Sequence, residues 1–147
     1  VVVGTANRGG SLLTKRFRVF TNDPKQTQAV LIVTGKVTSY VNVSPSLINL
    51  MGRVGQKIEG QVRIIPEKEY PFTIKEAKPR IGKNIRLDLK PLGKNPSRSG
   101  YVLTVDSTRQ TPGSFGDYIQ IQTDLKEKPA FGIPVRGHIY GEAAKTK

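Results

Sequence analysis

Short apolar runs punctuated by Gly and Pro, a self-match at one fixed offset, and strict in–out alternation in the clearest segment together predict an all-β chain. The offset is 102 residues, the distance from Thr21 to Thr123. A period of about one hundred residues is the size of an immunoglobulin-like β-sandwich. The predicted fold is one complete immunoglobulin-like sandwich over residues 39–142. It is preceded by the last strands of a partial module over 1–38 and followed by a flexible tail at 143–147.

The self-match needs no gap. At the same offset Phe17 and Val19 fall on Ile119 and Ile121, Leu31 and Val33 on Ile133 and Val135, Gly35 on Gly137, and Val37 on Ile139. Upstream, Val1 and Val3 fall on Leu103 and Val105, and Leu13 on Phe115. Each copy reads as strand, glycine turn, strand, turn, strand. Period-two alternation such as Phe17-x-Val19 suits a half-buried strand, and Asn22-Asp23-Pro24 is a turn signal. Gly35 and Gly137 mark a place where a bulge or bend wants no Cβ.

In the complete copy the first strands are Tyr40–Val43 and Leu47–Leu50, either side of Ser44-Pro45-Ser46. Gly52 and Gly55 bracket a turn before the strand Lys57–Ile65, with Ile58, Val62 and Ile64 as core candidates and Pro66 as its stop. Phe72–Ile74 is a short strand. Ile85, Leu87 and Leu89 alternate with Arg86, Asp88 and Lys90 in the most regular strand pattern of the chain. Gly93–Gly100 reads as a polar loop, Tyr101–Val105 as a strand and Thr111-Pro112-Gly113 as a turn. Tyr118–Thr123 and Ala130–Ile139 close a set of seven or eight strands. No segment carries a helical period, and Pro79 opposes a long helix in the ambiguous stretch Ile74–Ile81.

Composition bounds the function. The chain has 147 residues, 36% hydrophobic and 24% charged, enough for a packed core. Its 24 Lys and Arg against 11 Asp and Glu give a net charge of +13, a field suited to nucleic acid, acidic polymers or acidic proteins, or simply to solubility. The absence of Cys excludes disulfides, thiol catalysis and thiolate metal sites. No run has the length of a membrane-spanning helix, and Val1-Val2-Val3 is too short for a signal sequence. The one Met is Met51, so the chain does not open on Met, and a processed or longer precursor is expected.

Catalytic chemistry finds few starting points. His138, the single His, is expected at a surface or edge position without a local nucleophile or orienting partner. Glu67 and Glu69 fall in a turn. Asp106, Asp117 and Asp124 lie near loops, where three acids meeting at one end of a sandwich would suit Ca²⁺; without dense Asp-x-Asp spacing they read as turn and cap residues. Gly4, Gly9 and Gly10 surround Asn7-Arg8 as in a hairpin, and Gly82-Lys83 lacks the spacing of a phosphate loop. No catalytic, cofactor or metal residue is assigned.

The remaining candidates are cationic. Lys75, Lys78, Arg80, Lys83 and Arg86 fall within twelve positions with only Glu76 among them, and Lys15, Arg16 and Arg18 form a second group. A sheet surface presenting such cations would follow a phosphate backbone. Single-strand binding also wants exposed aromatics, whereas Phe17, Phe72, Phe115 and Phe131 sit in apolar alternation and read as core.

Thr21-Asn22-Asp23-Pro24 followed by Leu31-x-Val33-x-Gly35-x-Val37 resembles the closing strands of a bacterial immunoglobulin-like family of unknown function, related to the ASPM/SPD-2/hydin (ASH) and PapD-like β-sandwich domains. Tyr70-Pro71-Phe72-Thr73-Ile74 also resembles the second modules of such proteins. The likeness is close over residues 10–38 and looser over 41–141. It implies fold rather than mechanism, with tandem modules acting as scaffolds in the bacterial cell envelope or periplasm. The family's Cys-containing loop has no counterpart here, so no thiol role carries over.

The expected function is non-catalytic: a tandem immunoglobulin-like module for scaffolding or protein–protein contact at the cell envelope, without cofactor. The alternative is polyanion or nucleic-acid binding through Lys75, Lys78, Arg80, Lys83 and Arg86. Strands from 1–38 cannot cover both of their faces, so self-association or docking through them is also expected.

Overall fold

The computed structural model describes residues 2–5 and 8–142. The chain divides into two compact units, residues 1–39 and 40–147. The proposed tail at 143–147 and the positions Val1 and Asn7 lie outside the described residues.

In the first unit β1 (Leu12–Phe20) and β2 (Gln28–Lys36) form a two-stranded antiparallel ribbon. Gly10 takes a positive φ of 79°, which lets Arg8–Ser11 turn into β1. The Ser11 N–H and hydroxyl both donate to the Arg8 carbonyl, at 3.1 and 2.7 Å. Side chains alternate between two faces. One carries Leu13, Lys15, Phe17 and Val19 opposite Gly35, Val33, Leu31 and Ala29. The other carries Leu12, Thr14, Arg16, Arg18 and Phe20 opposite Lys36, Thr34, Ile32, Val30 and Gln28.

Two sequence expectations fail in this unit. Residues 2–5 form no strand; they match the end of a strand that takes two neighbours in the second unit, and residues 8–39 contain no counterpart of either. Phe17 is only half-buried, not core; on its face of the ribbon Leu13 alone is buried, at 9% exposure.

The second unit has eight strands: β3 (Val41–Ser44), β4 (Ile48–Arg53), β5 (Glu59–Pro66), β6 (Ile74–Pro79), β7 (Ile85–Pro91), β8 (Tyr101–Ser107), β9 (Gly113–Thr123) and β10 (Ala130–Tyr140). They make two four-stranded sheets, ordered β3-β5-β8-β7 and β4-β10-β9-β6. This is an immunoglobulin-like β-sandwich. At a cis Ser44–Pro45 peptide the chain leaves the first sheet, where β3 pairs antiparallel with β5, and joins the second, where β4 runs parallel to β10.

Alternation explains the core. Val62 and Ile64 of β5, Leu103 and Val105 of β8, Ile119 and Ile121 of β9, and Ile133, Val135 and Ile139 of β10 point between the sheets and are buried. Each such side chain contributes about 1.5–3 kcal/mol relative to exposure. Phe72 also enters this core, its ring edge-on to Phe131 at 6.2 Å, but not from a strand as expected. The strand begins two residues later and runs through the ambiguous stretch to Pro79, because β9 offers a pairing edge there. The Gly93–Gly100 loop contains a single helical turn, α1 (Pro96–Ser99), too short to show a period in sequence.

Candidate functional site

The five candidate cations are all exposed, but they do not share one sheet face. Lys75 and Lys78 lie on β6, an edge strand of one sheet, with a register shift between Ile74 and Glu76 that leaves Lys75 unpaired in the ladder. Arg80 and Lys83 lie in the crossover that follows. Arg86 lies on β7, an edge strand of the other sheet. The group therefore wraps the open side of the sandwich instead of forming the flat basic sheet surface expected from sequence. Acidic neighbours dilute it: Lys78 Nζ is 3.4 Å from Glu76, and Arg86 stands directly opposite Asp106 on β8.

One carboxylate sets the shape of that crossover. Asp117 Oδ1 accepts the Ile81 N–H at 3.0 Å and Oδ2 the Gly82 N–H at 2.8 Å, while Gly82 supplies a φ of 71°. Partial burial pushes the Asp117 carboxyl upward, but the N–H groups of Gly82, Ile81, Tyr118 and Arg80 together outweigh it and hold it below the ordinary carboxylate value. A depressed folded-state value means that stabilisation is fully present above the unfolded value, about 3.9, and is lost as pH falls through the folded one. Asp117→Asn is expected to lower stability by about 1–2 kcal/mol at neutral pH and to flatten the acid limb below about pH 4. Denaturant titrations at pH 7 and at stepped acid pH check both.

The three aspartates do not converge. Asp124 accepts the Thr73 N–H at 2.7 Å beyond the C-terminal end of β9, seven residues from Asp117 along nearly extended chain, roughly 20 Å away. Asp106 belongs to the opposite sheet, facing Glu59 and Arg86. Turn and cap roles suit all but Asp106, which has one buried oxygen without a hydrogen-bond partner. Among the described residues no group of three or more His, Asp or Glu is placed to hold a metal ion. Glu67 and Glu69 sit in a turn closed by Tyr70 N–H to Glu67 O at 2.9 Å.

His138 lies on the outer face of the sheet, as a surface position, but on β10, an interior strand, because β4 pairs along its far side. Across the strands it has a hydroxyl neighbour, with Ser114 Oγ 2.7 Å from Nδ1, a contact invisible over 24 residues of sequence. The imidazole packs edge-on against Tyr140 at 4.6 Å, and among the described residues no carboxylate hydrogen-bonds to it. The pair thus lacks the orienting acid of a catalytic constellation. Met51, across from His138 on β4, and Tyr140 are 64% and 49% exposed. They line an open depression with Arg53, Gln56 and Glu142.

The ribbon presents the other surface. On the face bearing Phe17, the side chains of Val19, Leu31 and Val33 are 43%, 44% and 37% exposed. Lys15 shares that face, while Arg16 and Arg18 project from the opposite one.

No protein-family description matches the chain, and no curated protein matches it. Among solved structures it is similar to a protein of unknown function from Porphyromonas gingivalis W83, with a TM-score of 0.53 at 13% identity, covering 90% of this chain and 67% of that one. It is also similar to the ASH/PapD-like domain 7 of human CEP192, with a TM-score of 0.47 at 11% identity, covering 71% of this chain and 87% of that one. The first likeness supports the sandwich fold that the strand order establishes. Among the described residues no helix is long and apolar enough to cross a membrane.

Proposed function

We propose that this chain is a non-catalytic tandem immunoglobulin-like module that works through protein–protein contact as part of a scaffold at the bacterial cell envelope. The observation that carries the reading is the β4 edge of the sandwich, which pairs only with β10, since a free strand edge is a template for a partner's strand. Of the four sandwich edges, β6 carries a register shift and Pro79, β7 alternates charged residues, and β3 has only four residues. Each of these features blunts an edge. The β4 edge has none of them, with Met51 exposed beside it. Envelope placement rests on the family resemblance; release of the protein with the periplasmic fraction checks it.

The polyanion alternative draws on the exposed cations around the β6–β7 crossover. Anisotropy titrations with single-stranded DNA, duplex DNA and heparin separate the two. Binding to each is expected to vanish between low and near-physiological salt, as a diffuse +13 field requires. Micromolar DNA binding that survives the higher salt and disappears in a Lys78→Glu, Arg80→Glu, Lys83→Glu triple variant would overturn the protein-contact reading.

A further inference from the structure

We infer that the Phe17-bearing face of the β1–β2 ribbon is the docking surface for a four-stranded sheet of the β3-β5-β8-β7 kind, supplied by residues of the same polypeptide upstream of the ribbon. The ribbon would then be the closing hairpin of a second sandwich. This deepens the modular reading above and rests on it.

The ribbon and the β9–β10 hairpin coincide bond for bond at the 102-residue offset. Phe17 pairs with Leu31 as Ile119 pairs with Ile133, and every other ribbon pair maps likewise. Their turns match too. Thr21 N–H donates to Thr27 O as Thr123 N–H donates to Pro129 O, and Gln26 N–H to Asp23 O as Lys128 N–H to Leu125 O. The Thr21 hydroxyl donates to Gln26 O and accepts the Asp23 N–H, as the Thr123 hydroxyl donates to Lys128 O and accepts the Leu125 N–H. Similar residue types alone do not fix a register and a turn; this degree of agreement points to one shared structural unit.

What differs is the cover. The inner face of β9–β10 packs in the core shared with β3-β5-β8-β7, where Ile121, Ile133 and Val135 are 0%, 0% and 1% exposed. Their counterparts Val19, Leu31 and Val33 are 43%, 44% and 37% exposed. A layer that covered the ribbon as β3-β5-β8-β7 covers β9–β10 would be a twisted sheet with an apolar inner face. Its chemistry differs at one corner. Lys15 stands where Asp117 stands in the sandwich, and Asp117 accepts two N–H groups from a crossover. At that corner Lys15 suits carbonyl or carboxylate oxygens of a covering layer, or water reached past its margin. The offset also names the source. It sets residues 2–5 on Thr104–Ser107, the end of β8, so that the counterparts of β3 to β7 fall upstream in the same chain.

The test compares the 147-residue chain with the polypeptide that includes its upstream residues. Amide exchange in β1 and β2 is expected to slow by about 100-fold or more in the longer polypeptide, as for strands buried in a core. Leu31→Asp is expected to abolish one unfolding transition of the longer polypeptide and leave that of residues 40–142, whereas Phe20→Asp, on the opposite face, leaves both. Unchanged exchange, equal sensitivity to the two substitutions, or the absence of upstream strand-forming residues overturns the inference. So does a dimer that persists in the longer polypeptide and dissociates with Leu31→Asp, which would assign the face to a second copy. The exchange comparison uses no substitution, so it holds even where Leu31→Asp fails to fold. It is also independent of polyanion binding, so this inference and the partner-chemistry reading fail separately.

Discussion

Phe72→Ala is expected to destabilise the sandwich by about 3–5 kcal/mol, the range for an aromatic removed from a packed core. Phe72 is 2% exposed and reaches the core from a loop, where its N–H donates to Ser97 O at 3.2 Å. It meets Phe131 of β10 edge-on and so ties the β5–β6 connection to the far sheet. Truncation leaves a cavity that a strand-held neighbourhood cannot readily collapse, so the loss exceeds the transfer term alone. A denaturant titration at neutral pH should show a lower midpoint with an unchanged slope. A loss under about 1 kcal/mol would mean that the loop holds its place without the ring.

Gly100→Ala should cost about 2–4 kcal/mol, from backbone strain together with overpacking. Gly100 closes α1 with φ 88° and ψ −164°, a conformation essentially confined to glycine. A Cβ there would stand 2.4 Å from the Ile64 carbonyl oxygen and 3.0 Å from Ile65 Cα. These are backbone atoms of β5, the strand paired with β8, so they cannot swing aside as a side chain would. Gly55→Ala is the control: its φ is 82°, yet nothing lies within 4 Å of its Cβ position. Thermal unfolding of both variants should show the larger fall for Gly100→Ala; equal falls would leave backbone strain as the only cost.

Both residues illustrate a limit of pattern reading. Phe72 was legible as apolar and core-directed, but its place outside a strand depends on where β9 offers hydrogen bonds. Gly100 was legible as a loop glycine, but its intolerance of a Cβ comes from β5, more than thirty residues earlier. The basic group was legible as a cluster in sequence. Its division between two sheet edges was not, because a β-sandwich sends consecutive strands to different layers.

By itself the sequence determined the all-β class, the alternation that picks out the core, and the 102-residue correspondence of the ribbon with the last hairpin. Period-two patterning and turn chemistry depend on neighbours a few positions apart, and a self-match needs only the order of residues along the chain. Tertiary structure alone decided that β4 runs parallel beside β10 and makes it an interior strand. It also decided that Ser114 meets His138 and that Asp117 holds the β6–β7 crossover. Each depends on pairing between distant segments, whose register is fixed by the burial of a whole face and not by any short stretch of chain.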